Sequence, residues 1–153
     1  MNGFTLDLAL EVLQGSIHGL GQVTLWIRLR ADTRNPTSPR PELLICERHG
    51  AHWSPPELRE AQVKNQDLLP LVEALRAFQH IAVPQIRPVA THMAGWQEIH
   101  LTARLDGRPI EFQTVLQYGG IEGGDAETLR HIWHLLTTLA EVHHPETWIK
   151  GTN

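Results

Sequence analysis

The stretch "IHLTARLDGRPIEFQTVLQY" (residues 99–118) consists of two runs in which apolar and polar residues alternate. This period of two is typical of half-buried β-strands. Asp106 and Gly107 lie between the runs, and an Asp-Gly pair favours the tight turn of a β-hairpin. The sequence therefore predicts two antiparallel strands. The first strand has Ile99, Leu101, Ala103 and Leu105 at alternate positions, and the second has Ile110, Phe112, Thr114, Leu116 and Tyr118.

The N-terminal part of the chain shows the same alternation three more times. Residues 4–12, residues 23–30 and the shorter run at residues 43–46 each predict a strand. The glycine-containing segment "GSIHGLG" (residues 15–21) predicts the connection between the first two strands. Residues 31–42 contain Pro36, Pro39 and Pro41, which favour a long surface loop before the third strand.

A helix is predicted from Ser54, because the residues around it match several helix-start signals at once. Ser54, Pro55 and Glu57 occupy the N-cap, the first position and the third position of a capping box. Trp53 and Leu58 are spaced as a hydrophobic staple across that helix start. We therefore expect the third strand to pass directly into this helix.

Two more helices are indicated by apolar residues at helical spacing. The segment "KNQD" (residues 64–67) predicts a break, with Asp67 as the cap of a second helix and Pro70 in its first turn. Asp125 is predicted to cap the last helix. The second stripe consists of Leu68, Leu71, Val72, Leu75, Phe78 and Ala82, and the last one of Leu129, Ile132, Trp133, Leu136, Leu139 and Ala140.

The predicted order of elements is β-β-β-α(α)-β-β-α. Strands joined by short connections form antiparallel sheets, and their apolar face must be covered by another layer. The sequence thus predicts an α+β fold, in which an antiparallel sheet of about five strands carries helices on one face. A length of 153 residues fits one globular domain, residues 1–153.

Composition excludes several classes of function. The formal net charge of −4 argues against nucleic-acid binding, which relies on clustered lysine and arginine. No apolar run approaches the roughly 20 residues of a membrane span, and Asp7 and Glu11 interrupt the N-terminal apolar residues where a signal peptide would have none. The single cysteine rules out an internal disulfide framework and fits a reducing compartment. We expect a cytoplasmic protein with no membrane or nucleic-acid partner.

The stretch "CERHGAHWSPPEL" (residues 46–58) places Cys46, His49 and His52 at intervals of three. Thiolate and imidazole are zinc ligands, but this spacing matches no common zinc module and supplies only three ligands. Cys46 alternates with Leu44 along a predicted strand, as a cysteine acting as a small apolar residue would. We interpret the stretch as a junction between a strand and a helix.

The last helix offers a better candidate for metal binding. At about 100° per residue, Glu127, His131 and His134 share its polar face. A carboxylate and two imidazoles can bind a divalent metal ion, and His143 or His144 could add a ligand. The competing interpretation is a solvated face, because these residues lie opposite the core stripe. No other cofactor is expected.

A surface for binding another protein is indicated by Trp26, Arg28 and Arg30, which share the outward face of the second predicted strand. Arg34 and Arg40 follow in the proline-rich loop. Tryptophan and arginine are the residue types most enriched at binding hot spots. The alternative interpretation is that Trp26 packs under a helix and the arginines are ordinary solvent-exposed charges.

These observations predict a non-catalytic protein-interaction module that is immunity-, inhibitor- or adaptor-like. The partner would be another protein or a second copy of the chain, bound through a sheet edge or Trp26. An alternative function is a small metal-binding protein or metal-dependent enzyme that uses Glu127, His131 and His134. A pocket for a small molecule between sheet and helices is a third hypothesis.

Overall fold

The computed structural model describes residues 3–16, 19–37, 40–48, 56–89, 96–116 and 120–142. Within these ranges the chain is α+β, with a six-stranded antiparallel sheet and two α-helices packed against it. This confirms the predicted fold class. The strands are β1 (Thr5–Ser16), β2 (Gly19–Asp32), β3 (Glu42–Glu47), β4 (Glu57–Gln62), β5 (Arg87–Pro88), β6 (Trp96–Leu105), β7 (Arg108–Leu116) and β8 (Ile121–Glu122), and the helices are α1 (Leu69–Gln79) and α2 (Ala126–Ala140).

The strand order in the large sheet is β4-β3-β2-β1-β6-β7, while β5 and β8 pair in a separate two-residue ribbon. Strand β1 pairs antiparallel with both β2 and β6, and therefore lies inside the sheet. Alternate residues of the strands are buried beneath the helices, as the period of two predicted. The most deeply buried residues of the large sheet are Leu8, Val12, Leu25, Ile27, Leu29, Leu43, Ile45, Ile99, Leu101 and Leu105.

The hairpin that the sequence predicts is present between β6 and β7. Asp106 and Gly107 form its turn with φ values of 52° and 81°. Positive φ at both central residues matches a two-residue turn whose twist fits the flanking strands, which is why Asp-Gly is favoured there. Leu105 pairs with Arg108 directly beside the turn.

The predicted helix from Ser54 is wrong over residues 57–62, which form strand β4. The segment "ELREAQ" is composed of strong helix formers, so its local propensity opposes the observed structure. Pairing with β3, in which Leu58 lies opposite Cys46, satisfies backbone groups that would otherwise remain open along the edge of β3. Arg59 also donates to the carbonyl oxygens of Ala140 and Glu141 at the end of α2. Tertiary pairing therefore overrides the helix propensity.

The helix-start signals around this strand have no counterpart in the described residues. Trp53, Ser54 and Pro55 lie outside them. The staple partner Leu58 is 70% exposed on β4. Within the described ranges the sheet consequently has one strand more than the five predicted, and the first α-helix there begins at Leu69.

The predicted second helix corresponds to α1, which follows a short 3-10 turn at Asn65–Leu68. Pro70 lies in its first turn, as expected. The sequence predicts Asp67 as the cap, but Asp67 lies in the 3-10 turn, and the N-cap residue of α1 is Leu68, which makes no side-chain capping bond. The stripe from Leu68 to Phe78 is buried, whereas Ala82 lies beyond the helix and is exposed.

Helix α2 buries the predicted stripe, with Leu139 only partly covered. Asp125 is its N-cap residue, but its carboxylate does not bond its own helix. It instead accepts a hydrogen bond of 2.7 Å from the backbone N–H of Gln85, which fixes the segment after α1 to the start of α2. Neither helix in the described ranges has the length and apolar content to cross a membrane.

Candidate functional site: the open face of the sheet

The sheet has one face beneath the helices and an opposite face, which we call the open face. Its side chains alternate with the core residues, and none of the described ones is buried. Strand pairing arranges them in transverse rows. The first row is Leu58, Cys46, Trp26, Glu11, His100 and Gln113. The second is Glu60, Leu44, Arg28, Ala9, Thr102 and Glu111, and the third is Gln62, Glu42, Arg30, Asp7, Arg104 and Pro109.

One end of the open face is apolar. Trp26 lies opposite Cys46, and Cys46 lies opposite Leu58. Leu44 is the neighbour of Cys46 on the same face of β3. Adjacent strands are about 4.8 Å apart, so these four side chains form a continuous cluster across about 10 Å, which we call the apolar corner. The side chains of Trp26, Leu44 and Cys46 are half-buried, and Leu58 is exposed.

Arg28 and Arg30 lie next to the apolar corner on the same face, and both contact one carboxylate. Arg28 Nη2 is 3.5 Å from Asp7 Oδ2, and Arg30 Nε is 3.9 Å from Asp7 Oδ1. Asp7 is the direct cross-strand partner of Arg30. The ion pairs hold both arginines toward β1, and half or more of the Arg30 and Asp7 side chains remains exposed.

The structure does not bring Arg34 to the apolar corner, although the sequence grouped it with Trp26. Six residues of β2, about 20 Å of extended chain, separate Trp26 from the end of the strand at Asp32. Arg34 lies beyond that end, where its Nη2 is 2.9 Å from Asp106 Oδ1 and its Nε donates to Gly3. Arg40 is exposed just before β3. Three of the five grouped residues therefore share one surface.

Asp106 joins three parts of the fold at this far end of the sheet. It accepts a hydrogen bond of 3.0 Å from the backbone N–H of Thr5 and contacts Arg34 and Arg76. Partial burial raises the pKa of the Asp106 carboxyl, but the bonds from Thr5 and Arg76 and the charges of Arg34 and Arg76 outweigh it, so the net pKa lies below the usual range. The arrangement stabilises the junction of β1, the hairpin and α1.

Sequence reasoning missed a polar pair in the middle of the open face. His100 Nε2 and Glu98 Oε2 are 2.9 Å apart, and both side chains are about one-quarter to one-third exposed. Glu11 lies directly opposite His100 on β1, between His100 and Trp26. The i, i+2 spacing of the pair was the available signal, because residues two apart in a strand point to the same face.

The predicted metal ligands Glu127, His131 and His134 are all exposed on α2. Glu127 pairs with Arg130 at 2.8 Å, and Arg130 also donates to the carbonyl of Ile121. Within the described residues, no three His, Cys, Asp or Glu side chains are grouped so that they could hold a metal ion. Metal binding by this helix stays a prediction.

The other histidines considered from the sequence lie outside the described residues. These are His49 and His52 of the cysteine-containing stretch, and His143 and His144 after α2. Cys46 itself is a free cysteine. It is half-buried on the open face, so it belongs to the apolar corner rather than to the core.

A narrow crevice lies between the sheet and α2. It has room for little more than a water molecule, and every lining side chain is apolar. Ligand pockets usually combine an apolar lining with a few polar groups that orient the ligand. The crevice supplies none, so it adds no support to the small-molecule hypothesis. Its lining consists of Leu10, Ile99, Leu101, Leu129, Ile132, Trp133 and Leu136.

Comparison of the chain with protein-family models and with curated proteins finds no match. Its function must therefore be argued from its own geometry. The open face combines a cluster of three half-buried side chains and the exposed Leu58 with oriented charged groups.

Proposed function

We propose that the protein is a non-catalytic interaction module that binds another protein through its open face. The observation that carries this proposal is the apolar corner, in which Trp26 lies between Cys46 and Glu11 on a sheet face without a buried side chain in the described ranges. An immunity-, inhibitor- or adaptor-like role needs only such a surface on a stable scaffold. We place this activity in the cytoplasm, which suits a single unpaired cysteine.

Trp26 supports the proposal through the free energy that its burial would release. A tryptophan side chain is one of the largest apolar surfaces a protein can bury, and its indole N–H can bond a partner as well. Leu58, of which 70% is exposed, extends the same apolar surface toward the sheet edge. Removing both from water is favourable in proportion to the area covered.

Arg28 supports it through preorganisation. Its guanidinium is already held by Asp7 at 3.5 Å, so less side-chain freedom would be lost when a partner binds. The same contact keeps the arginine beside Trp26. An anchor of tryptophan and arginine is common at binding hot spots.

The open face is also large enough. Six strands at about 4.8 Å spacing and about eight residue steps along β1 give a projected area of roughly 650 Å². A stable interface buries about 800 Å² on each partner. The accessible area of the projecting side chains is larger than the projected area of the sheet. A homodimer that uses this face or a sheet edge would fall within the same range.

Affinity capture from native extract tests the proposal. The bait proteins are the unmodified chain, a Trp26→Ala/Arg28→Ala variant, and a Leu69→Ala control that removes an apolar side chain, 49% exposed, from α1. We expect the double variant to lose a partner that the other two retain, because hot-spot truncations cost about 2 kcal/mol or more. If all three baits retain every partner, the proposed surface is wrong.

Two measurements complete this test. Thermal unfolding of each bait shows whether a lost partner reflects a lost surface or an unfolded protein. Sedimentation of the purified chain at increasing concentration shows whether a second copy is the partner. If the chain dimerises and Trp26→Ala/Arg28→Ala abolishes the dimer, the open face binds a second copy of the chain instead of a different protein.

A further inference from the structure

The charges on the open face are unequal. In the described strands, seven carboxylates and three guanidinium groups lie on the open face, and the difference equals the chain's formal net charge of −4. The carboxylates belong to Asp7, Glu11, Asp32, Glu42, Glu60, Glu98 and Glu111, and the guanidinium groups to Arg28, Arg30 and Arg104.

Asp7 already lies beside two of these arginines, at 3.5 Å from Arg28 and 3.9 Å from Arg30. One of the two positive charges next to the apolar corner is therefore offset within the protein itself. An approaching partner meets these arginines together with their carboxylate, rather than as two free cations.

Several carboxylates of the open face have no such counter-charge. Among the described residues, no lysine, arginine or histidine lies within ion-pair distance of Glu11, Glu42, Glu60 or Glu111. Two of them adjoin the apolar corner. Glu11 is the cross-strand neighbour of Trp26, and Glu60 is the cross-strand neighbour of Leu44.

We infer that the open face binds a basic protein surface, one that presents lysine or arginine side chains around an exposed aliphatic or aromatic residue. The apolar corner receives the apolar residue, while Glu11 and Glu60 receive the cations on its two sides. This inference rests on the proposed function and specifies the chemistry of the partner. It also reverses the partner charge that the arginines of β2 alone would suggest.

Electrostatics gives the physical reason. An acidic partner would be repelled by the carboxylates of the open face, which would lose their hydrating water without gaining a counter-charge. A basic partner associates faster, and the charge pairing excludes wrong partners. Such binding weakens as salt rises, because the Debye length falls from about 10 Å at 0.1 M salt to about 3 Å at 1 M. Binding that depended on the apolar corner alone would not weaken in this way.

The test uses three synthetic helical peptides of fourteen residues as probes. One consists of leucine and lysine, one of leucine and glutamate, and one of serine and lysine. Each is titrated into the full-length, isotope-labelled chain, and amide and indole NMR shifts give both the affinity and the contacted surface. The variant Glu11→Gln/Glu60→Gln is matched by Asp67→Asn/Glu73→Gln, which removes the same charge from exposed positions before and within α1.

We expect the leucine–lysine peptide to bind and to shift resonances of β2–β4 and of the Trp26 indole. The affinity of the leucine–lysine peptide should fall about fivefold for Glu11→Gln/Glu60→Gln, because two exposed ion pairs with the peptide are lost together. Its affinity for Asp67→Asn/Glu73→Gln should stay unchanged. The leucine–glutamate peptide, and the serine–lysine peptide that lacks an apolar anchor, should each bind at least tenfold more weakly.

The outcomes separate this inference from the proposed function. If the leucine–lysine and leucine–glutamate peptides bind the open face equally, and Trp26→Ala weakens both, the surface stands and the inferred basic partner is wrong. If no peptide shifts the open-face resonances, or if Trp26→Ala leaves binding unchanged, both are wrong. Equal weakening by the two charge variants shows unspecific attraction and also overturns the inference.

Discussion

Replacement of Asp106 tests the junction that holds β1, the β6–β7 turn and α1 together. The Asp106→Asn change removes the charge but keeps an oxygen that can accept from the Thr5 N–H. Asparagine also tolerates the left-handed φ of 52°. What is lost is the pairing with Arg34 and Arg76, whose side chains are about half exposed. Two such exposed pairs stabilise by about 1 kcal/mol together.

The Asp106→Ala change removes more. The Thr5 N–H loses its acceptor, which costs about 1–2 kcal/mol for a half-buried group, and alanine adds about 1 kcal/mol of strain at positive φ. We therefore expect a loss of about 3–4 kcal/mol for alanine and about 1 kcal/mol for asparagine. For a chain of this size the midpoint of thermal unfolding should fall by about 3 °C in the asparagine variant and about 10 °C in the alanine variant.

The pH dependence provides an independent check. Because the pKa of Asp106 is lowered in the folded protein, its charge stabilises the fold fully above the ordinary value of 3.8. That contribution is lost as the pH falls from 3.8 through the lowered pKa. The difference in unfolding free energy between the native chain and Asp106→Asn should therefore be constant near neutral pH and shrink in acid.

Urea unfolding between pH 7 and pH 3 measures both effects. Glu111→Gln serves as the control, since it neutralises an exposed carboxylate of β7 and should change stability by less than about 0.5 kcal/mol. Equal destabilisation by asparagine and alanine would refute the roles of the Thr5 bond and of the positive φ. A difference from Asp106→Asn that grew toward acid pH would refute the assigned charge effect.

Three further predictions concern other parts of the fold. Gly123→Ala should lower the free energy of unfolding by about 3 kcal/mol or more, because φ is +124° and a Cβ would overlap the carbonyl oxygen of Gln85. Gly124→Ala is the control: its Cβ would meet no atom within 4 Å, so urea unfolding should show little change. Arg59→Met should lower the free energy of unfolding by about 1–2 kcal/mol and speed amide hydrogen exchange at the end of α2 and along β4. Exchange rates equal to those of the native chain would contradict the contact of Arg59 with the end of α2. Elemental analysis of untagged protein tests the metal alternative: less than a tenth of an equivalent of zinc, iron, nickel or manganese, unchanged in His131→Ala, would rule it out, whereas a stoichiometric metal that is lost in His131→Ala would support it.

The parts of the fold that follow from periodicity could be predicted from the sequence. The alternation along β1, β2 and β6 identified the buried residues, since one face of each strand must leave water. Asp106 and Gly107 identified the hairpin, because few residue pairs accept two positive φ values. The apolar stripe of α2 identified the face that covers the sheet.

The errors arose where tertiary contacts decide against local preference. Residues 57–62 prefer a helix in isolation, but β3 offers a strand edge, and the end of α2 offers carbonyl oxygens to Arg59. No local signal contains either partner. The same reason explains Arg34, which follows β2 closely in sequence but bonds to Asp106, 72 positions further along the chain.

The candidate site was predictable only in part. Alternation placed Trp26, Arg28 and Arg30 on one face, because they belong to a single strand. The contributions of Leu58 and Glu60 depend on β4 being a strand, and the offsetting of the arginines by Asp7 depends on cross-strand register. Register is a property of the assembled sheet, so the charge of the surface could not be derived from β2 alone.

Hydroxyl-radical footprinting of the chain with and without its captured partner tests the central claim that binding occurs on the open face. Side chains on both sides of the molecule report in one experiment: Leu58 (70% exposed) and the half-buried Trp26 on the open face, Leu69 (49%) on α1 and Val83 (71%) in the loop after it. We predict that the partner protects Trp26 and Leu58 from oxidation and leaves Leu69 and Val83 as reactive as in the free protein. Protection of Leu69 and Val83 with unchanged oxidation of Trp26 would contradict the account.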